Sequence, residues 1–377
     1  MDFNTKALKD SFPALKKSLY FNTGSEGLFP RNTYKVLHRH LNRVFKYGGS
    51  HPDYFKFINL YNEKLKLIIE EMGVNYNDTI KVASISEGLN FSFNMFPFKK
   101  NDKILLLKNE FKTVVLAAIC CVKKYECEII WADSIEHAQK IITEQKIHAF
   151  AVSHVSYIDG KVNDIKGLYS LCKEKDVFFI VDGAQSIGNI TWNLKSVVNC
   201  SDMYVWTTHK WFLSPRGLAF IIPSQNALQK CSPVCLNYFA TKTFETPDNI
   251  SFTGNISDMS NHANNFNGEI GFVQTYKFIK KKIGFDNALK QNNSNKEYFL
   301  KMAKENNIEI KNTDSFLLAF KSSKYTNEQI VDKFYRHGII IRTIPNTEFV
   351  RVSIHIYINR SMINSFFKIW KKIHKIN

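Results

Sequence analysis

The sequence predicts an α/β protein, with a mainly parallel sheet in a large domain and a small α+β domain at the C-terminus. Three observations carry that expectation. From about residue 80 to residue 207, short apolar runs alternate with stretches of helical periodicity, the pattern of repeated βαβ units. Two of the runs stop abruptly in polar residues, as a buried strand does at the rim of a sheet. Val177-Phe178-Phe179-Ile180-Val181 delivers Asp182, and Met203-Tyr204-Val205-Trp206 delivers Thr207, His209 and Lys210. After residue 263 the order changes to one long helix and then a shorter mixture of strands and helices.

Taken in order, residues 1–18 read as a polar arm with a short helix. Tyr20-Phe21-Asn22-Thr23-Gly24-Ser25-Glu26-Gly27 mixes apolar and turn residues, which suggests a strand passing into a glycine-rich loop. Residues 32–72 repeat apolar positions at helical spacing, interrupted at Gly48-Gly49-Ser50-His51-Pro52. Strands are expected at 80–82, 103–107, 128–131 and 149–153. Helices are expected at 87–95, 113–121, 138–144 and 164–175, the last capped by Asn163 or Asp164. The turn Ser214-Pro215-Arg216-Gly217 is too short for a parallel crossover, so residues 218–223 should run antiparallel to the strand ending at Thr207. Residues 224–262 read as loop-rich. Beyond the long helix, strands are expected at 316–320, 339–344 and 350–356, and helices at 327–337 and 360–374. The expected domains are an arm at 1–18, a large domain at 19–262, and a bridging helix with the small domain at 263–377.

Size and composition narrow the classes of function. At 377 residues the chain exceeds a typical single domain, and its 44% hydrophobic content can fill a sizeable core. No run of about eighteen apolar residues suggests a membrane span, and Met1-Asp2-Phe3-Asn4-Thr5-Lys6 has no apolar signal core. The expectation is a cytoplasmic protein without a membrane partner. Seven cysteines lie scattered with no CxxC pair, and adjacent Cys120 and Cys121 read as reduced core residues. No metal site is expected. The formal charge of +17 comes from lysines spread along the chain without a nucleic-acid recognition motif. It therefore reads as solvated surface rather than a nucleic-acid partner, although it would favour anionic substrates.

An acid and a lysine at the ends of two sheet strands suit one chemistry especially well. The Lys210 amine can form a Schiff base with a pyridoxal aldehyde, and Asp182 can keep the pyridine nitrogen protonated so that the ring accepts electrons. Pyridoxal 5'-phosphate (PLP) is therefore the expected cofactor. A phosphate needs oriented N–H groups and hydroxyls, best at a helix N-terminus. Ser84-Ile85-Ser86, where a helix is entered, could supply them, with Ser86 also a candidate N-cap.

The motifs His209-Lys210-Trp211-Phe212-Leu213-Ser214-Pro215-Arg216-Gly217, Ser153-His154-Val155-Ser156-Tyr157 and Arg351-Val352-Ser353-Ile354-His355-Ile356-Tyr357 give the chain a resemblance to a known group. It resembles the aminotransferase class V group of fold-type I PLP enzymes, especially its isopenicillin N epimerase-like branch and, more distantly, the cysteine desulfurases. The resemblance runs from about Tyr20 to the C-terminal helix. It implies Lys210 as the internal aldimine lysine, Asp182 at the pyridinium nitrogen, and Gln185 and His154 beside the ring hydroxyl. Phe111 would stack on the ring. Ile85 (through its backbone N–H), Ser86, Thr207 and His209 would hold the phosphate. Asn255, in Thr253-Gly254-Asn255, would reach the phosphate of a neighbouring subunit, where the group usually has Thr. Arg351 would clamp the substrate carboxylate, with Arg342 and His355 as secondary candidates for a second acidic group. Asn22, Thr23, Gly24 and Ser25 would line the mouth of the site.

The implied activity is deprotonation at Cα of an amino acid by a homodimer with shared active sites. Racemisation and transamination follow from the epimerase-like motifs. The alternative is a C–S or β-elimination lyase. Arg342-Thr343-Ile344-Pro345-Asn346-Thr347-Glu348 has no cysteine where desulfurases carry their nucleophile, which disfavours persulfide-forming desulfuration. A non-catalytic PLP-fold binding protein is a further alternative.

Overall fold

The computed structural model describes residues 8, 10–232, 240–246, 249–253, 256, 259 and 266–375. The first strand, β1 (Leu19–Tyr20), leads through a loop to two helices, α1 (Arg31–Tyr47) and α2 (Pro52–Glu71). Gly48, at φ +75°, ends α1 in a backbone conformation that other residues rarely adopt. There follow β2 (Ile80–Val82), α3 (Ile85–Met95), β3 (Lys103–Leu107), α4 (Lys112–Tyr125), β4 (Glu128–Ala132), α5 (Ile135–Glu144), β5 (Ala149–Ser153), α6 (Ile165–Glu174), β6 (Phe178–Asp182), β7 (Met203–Thr207) and β8 (Ala219–Pro223). Asp164 caps α6 through its side chain, as one of the two expected residues.

These strands form one seven-stranded sheet in the order β2-β8-β7-β6-β5-β3-β4. Pairs from β4 across to β7 are parallel, whereas β8 runs antiparallel to both β7 and β2. In β5, β6, β7 and β8 every residue is buried. Both faces of the sheet are covered, which is why these strands read as unbroken apolar runs rather than alternating ones. Successive residues serve opposite faces: Phe179, Val181, Tyr204 and Trp206 join one core, and Phe178, Ile180, Met203 and Val205 the other. In the larger core Trp206 stacks on Phe220 at 5.0 Å and Phe212 meets Phe272 edge-on at 5.3 Å. Burying each such ring contributes roughly 2–3 kcal/mol. This anchors the strand that carries Lys210.

Residues 224–262 are less loop-like than expected. They hold a short helix, α7 (Gln225–Lys230), and an antiparallel hairpin of β9 (Thr241–Thr246) and β10 (Asn249–Phe252). Most hairpin residues are exposed, so no apolar alternation betrays them. The expected long helix is two: α8 (Phe266–Phe278) widens into a π-helical turn at Ile279–Ile283, and Gly284 at φ +84° breaks it before α9 (Phe285–Glu305). Then come β11 (Leu317–Phe320), α10 (Asn327–Arg336), β12 (Ile339–Ile340), β13 (Arg342–Thr343), β14 (Val350–Ser353) and α11 (Arg360–His374).

The region read as one strand at 339–344 is split because its halves serve different partners. β12 pairs in parallel with β1, and β13 joins an antiparallel sheet ordered β11-β14-β13. β14 ends at Ser353, short of the expected 356. Cys121 is buried as expected, but Cys120 faces outward on α4. Among the described residues no helix is long and apolar enough to cross a membrane.

Candidate functional site

The site is built at the C-terminal ends of three neighbouring strands. Ser153 of β5 lies opposite Asp182 of β6, and Asp182 lies opposite Val205 of β7. Asp182 is buried, and its Oδ1 accepts the Ala184 N–H at 2.8 Å. Burial raises its pKa above the ordinary carboxylate value, against the opposing pull of the Lys210 charge and the Ala184 N–H. Lys210 shows the converse. Burial, above all, brings its amine down to about 8; Asp182 opposes this, and Arg351, Arg342 and Arg216 add to it. The turn that presents Lys210 is packed tightly beneath the amino-terminal loop. Gly27 donates its N–H to the His209 carbonyl at 2.8 Å, and a Cβ at Gly27 would stand 2.2 Å from the Lys210 carbonyl oxygen.

His154, just past β5, is buried. Its backbone N–H donates to the Asp182 carbonyl at 2.9 Å, and its Nδ1 shares a 2.8 Å hydrogen bond with the Tyr204 hydroxyl. Tyr204 also meets Ser186 Oγ at 2.5 Å. Burial lowers the His154 pKa to about 4, so the imidazole is neutral near pH 7.

Glu110 was not singled out from the sequence, yet it ties this region together. It accepts the Phe111 N–H at 2.8 Å, the Ser153 N–H at 2.9 Å and the Ser153 hydroxyl. Burial raises its pKa, with the nearby Asp182 charge adding to the rise. Phe111 thereby sits at the N-cap of α4 with its ring 4.9 Å from Tyr157, edge-on. An acid in a polar tetrapeptide reads as a loop residue, so only the excess of polar residues at the end of β3 could have hinted at it.

At α3 the structure corrects the capping assignment. Ser84, not Ser86, is the N-cap, accepting the Glu87 N–H at 3.2 Å. Ile85 and Ser86 are therefore the first two helical residues, whose N–H groups have no partner within the helix. Thr207 Oγ1 and His209 Nδ1 share a 2.8 Å hydrogen bond at the end of β7. Burial and the Lys210 charge lower the His209 pKa to about 3. Asn255 lies outside the described residues.

The amino-terminal loop closes the site from the other side. Gln185 donates from Nε2 to the Gly24 carbonyl at 2.7 Å and accepts from Trp211 Nε1 at 2.9 Å. One hydrogen of its NH2 group is thus used within the protein, and the second is left to donate to a ligand. Trp211, immediately after the lysine, belongs to the motif read from the sequence, but its hold on Gln185 was not foreseen, because the apolar run Trp211-Phe212-Leu213 reads as core packing. Ser25 Oγ donates to Asn22 Oδ1 at 2.7 Å and receives Arg342 Nη1 at 2.9 Å. Arg351 is buried; its Nη1 donates to the Tyr157 carbonyl at 2.6 Å, and burial together with Arg342 lowers its pKa to about 9. Thr23 hydrogen-bonds the Tyr357 hydroxyl.

His355 departs from its expected place. It is fully buried, packed against Trp211 at 5.5 Å and Tyr357 at 5.6 Å. Burial lowers its pKa to about 3. A neutral imidazole enclosed by aromatic rings cannot hold a second acidic group.

This donor set fits pyridoxal phosphate. A buried amine brought down to about 8, a buried acid on the adjacent strand and the N-terminus of α3 stand at the C-terminal ends of the large sheet. The Arg351 guanidinium, on the small sheet, is close enough to act on the Lys210 charge. Comparison with known proteins agrees. The aminotransferase class-V profile matches residues 40–366. A probable cysteine desulfurase from Pyrococcus abyssi is 23% identical over 293 residues, covering 75% of this chain and 72% of that one. A hercynylcysteine sulfoxide lyase from Schizosaccharomyces pombe is 24% identical over 235 residues, 58% of this chain and 57% of that one. Among solved structures, the cystine C–S lyase C-DES in complex with its product cysteine persulfide superposes with a TM-score of 0.85 at 18% identity. The match covers 95% of this chain and 98% of the other. Together the matched span, the sheet and the residues at its edge establish that the chain belongs to the aminotransferase class-V family of PLP-dependent enzymes.

Proposed function

We propose that the protein is a β-eliminating lyase that cleaves a bond at Cβ, a C–S bond above all, after removing the Cα proton of an amino acid. When bound, the cofactor supplies an electron sink for the pair left at Cα. Lys210 is the base: its amine, brought down to about 8, can take the Cα proton near neutrality. Asp182 holds the pyridine nitrogen. Ile85, Ser86, Thr207 and His209 cradle the phosphate, and Gln185 and His154 flank the ring hydroxyl. Phe111 covers a ring face, and Arg351 binds the carboxylate, with Asn22, Gly24 and Ser25 at the mouth.

The observation that carries elimination over racemisation is the supply of protons. Inverting Cα needs one group to remove a proton and a second to return one from the opposite side. Lys210 is suited to the first task. For the second, Phe111 has no proton to give, burial holds His154 and His209 neutral with values of about 4 and about 3, and Tyr157 keeps its proton but is made a weaker acid than usual by burial. A departing β-substituent needs no second base at Cα. The names of the relatives support the same reading, and no cysteine in 342–348 is available to take up sulfur. Transamination is the second reading, because the one Lys210 amine can both take the Cα proton and give it back.

We further infer a cytoplasmic homodimer in which Asn255 reaches the partner's phosphate site, and a division into an arm at 1–18, a large domain at 19–262 and a small domain at 263–377. The test of the reaction is product analysis after incubating the reconstituted protein with S-substituted L-cysteines. Pyruvate, ammonia and a thiol, all lost in Lys210→Ala, are expected. The D-isomer, or a keto acid that keeps its side chain, would contradict elimination.

A further inference from the structure

Arg342 and Arg351 face each other across β13 and β14 as a directly opposed pair. Like charges so placed repel, and the inner one is buried, which is costly without a counter-ion. Neither forms an ion pair among the described residues, whereas Arg216 nearby is matched by Glu26 at 2.7 Å. Both guanidinium groups converge instead on one neutral atom. Ser25 Oγ receives Arg342 Nη1 at 2.9 Å and Arg351 Nη2 at 3.5 Å, while its own proton goes to Asn22. Arg351 Nε is buried without a hydrogen-bond partner.

The two arginines differ in depth. Arg351 is 2% exposed and fixed by the Tyr157 carbonyl. Arg342 is half-buried on the edge strand of its sheet. One α-carboxylate can fill the inner guanidinium, which leaves a second positive site further out.

We propose that the substrate is an amino acid whose side chain ends in an anionic oxygen group, a carboxylate or sulfonate, held by Arg342 with Ser25. This rests on the reading of Arg351 as the α-carboxylate site in the proposed function. The second anion offsets the repulsion that the pair otherwise carries, so affinity and charge neutralisation are gained together.

The test pairs each acid with its neutral amide. The reconstituted protein is titrated with L-glutamate and L-glutamine, and with S-carboxymethyl-L-cysteine and its carbamoylmethyl analogue, and dissociation constants are read from the cofactor's absorbance. The wild type should prefer the acid by about tenfold or more. Arg342→Gln should abolish that preference while changing amide affinity by no more than about twofold, and Arg342→Lys should keep part of it. An equal loss for acid and amide in Arg342→Gln would show both arginines sharing the α-carboxylate and overturn the proposal, as would a wild type indifferent to charge. A colourless protein would instead overturn the cofactor reading, and the same titrations followed by calorimetry would still report the acid-over-amide preference.

Discussion

His355 Nε2 donates to the Trp211 carbonyl oxygen at 3.0 Å, so the segment that follows Arg351 also holds the peptide that follows Lys210. The proton must sit on Nε2 because a carbonyl only accepts, which leaves Nδ1 buried without a partner. One strand and its extension thus set two distances at once: Arg351 to the mouth, and Lys210 to the sheet edge.

Breaking that tie should loosen both. His355→Phe keeps an aromatic ring but removes the donor, leaving the Trp211 carbonyl unsatisfied at a cost of about 1–3 kcal/mol. Urea denaturation should show that loss, accompanied by weaker retention of pyridoxal phosphate on dialysis. Unchanged stability and retention would mean that the bond does not position the lysine turn.

Gly24→Ala should injure substrate binding and spare the cofactor. An added Cβ would stand 2.6 Å from Leu317 Cδ2 and 3.1 Å from both Arg351 Nη2 and Ser353 Oγ. The guanidinium would have to move. KM for an amino-acid substrate should rise roughly tenfold, with cofactor affinity little altered. Equal damage to both would place Gly24 in the general packing of the loop.

Acid should destabilise the protein well above the ordinary carboxylate range. His154, His209 and His355 are held at about 4, about 3 and about 3 against an ordinary 6.5. Between those values and 6.5 the unfolded chain binds protons that the folded chain refuses. Stability is therefore full above pH 6.5 and falls as pH drops, by up to about 1.4 kcal/mol per pH unit for each imidazole. Denaturation midpoints measured from pH 7 to pH 4 should fall, and less steeply in His154→Asn. Buried Asp182 and Glu110, raised above the ordinary carboxylate value, act in the opposite direction. The comparison with His154→Asn therefore decides: an equally steep profile in that variant would show the His154 imidazole to be hydrated.

Capture of the cofactor should follow the Lys210 amine. The nucleophile is the neutral form, so the rate at which apoprotein binds pyridoxal phosphate covalently should rise with pH and level off near about 8. A rise continuing toward the ordinary lysine value would mean that the amine is solvated.

The parts of this structure legible in the sequence are those where one strand carries both burial and chemistry. Asp182 and Lys210 stand out because β6 and β7 are covered on both faces and their apolar runs end sharply at the rim. The antiparallel β8 followed from the shortness of the Ser214–Gly217 turn. Features that depend on distant partners were not legible. Glu110 looks like a loop acid until Ser153 arrives from 43 residues away to meet it. The pairing of β1 with β12 joins chain ends with no shared pattern, and the exposed β9–β10 hairpin has no apolar face to announce it. Gln185 was readable as a polar residue near the cofactor, but its engagement by Gly24 and Trp211 depends on a loop and a turn brought together only in the fold. Even the cap of α3 shifted by two residues, because Ser84 and Ser86 are chemically equivalent in a sequence.

The most direct measurement is covalent mapping of the cofactor. Protein reconstituted with pyridoxal 5'-phosphate is reduced with borohydride, digested and sequenced by mass spectrometry. The pyridoxyl group should be found on Lys210, with Asp182→Asn keeping the attachment but losing catalytic turnover. Label on another lysine, or none on Lys210, would contradict the site described here.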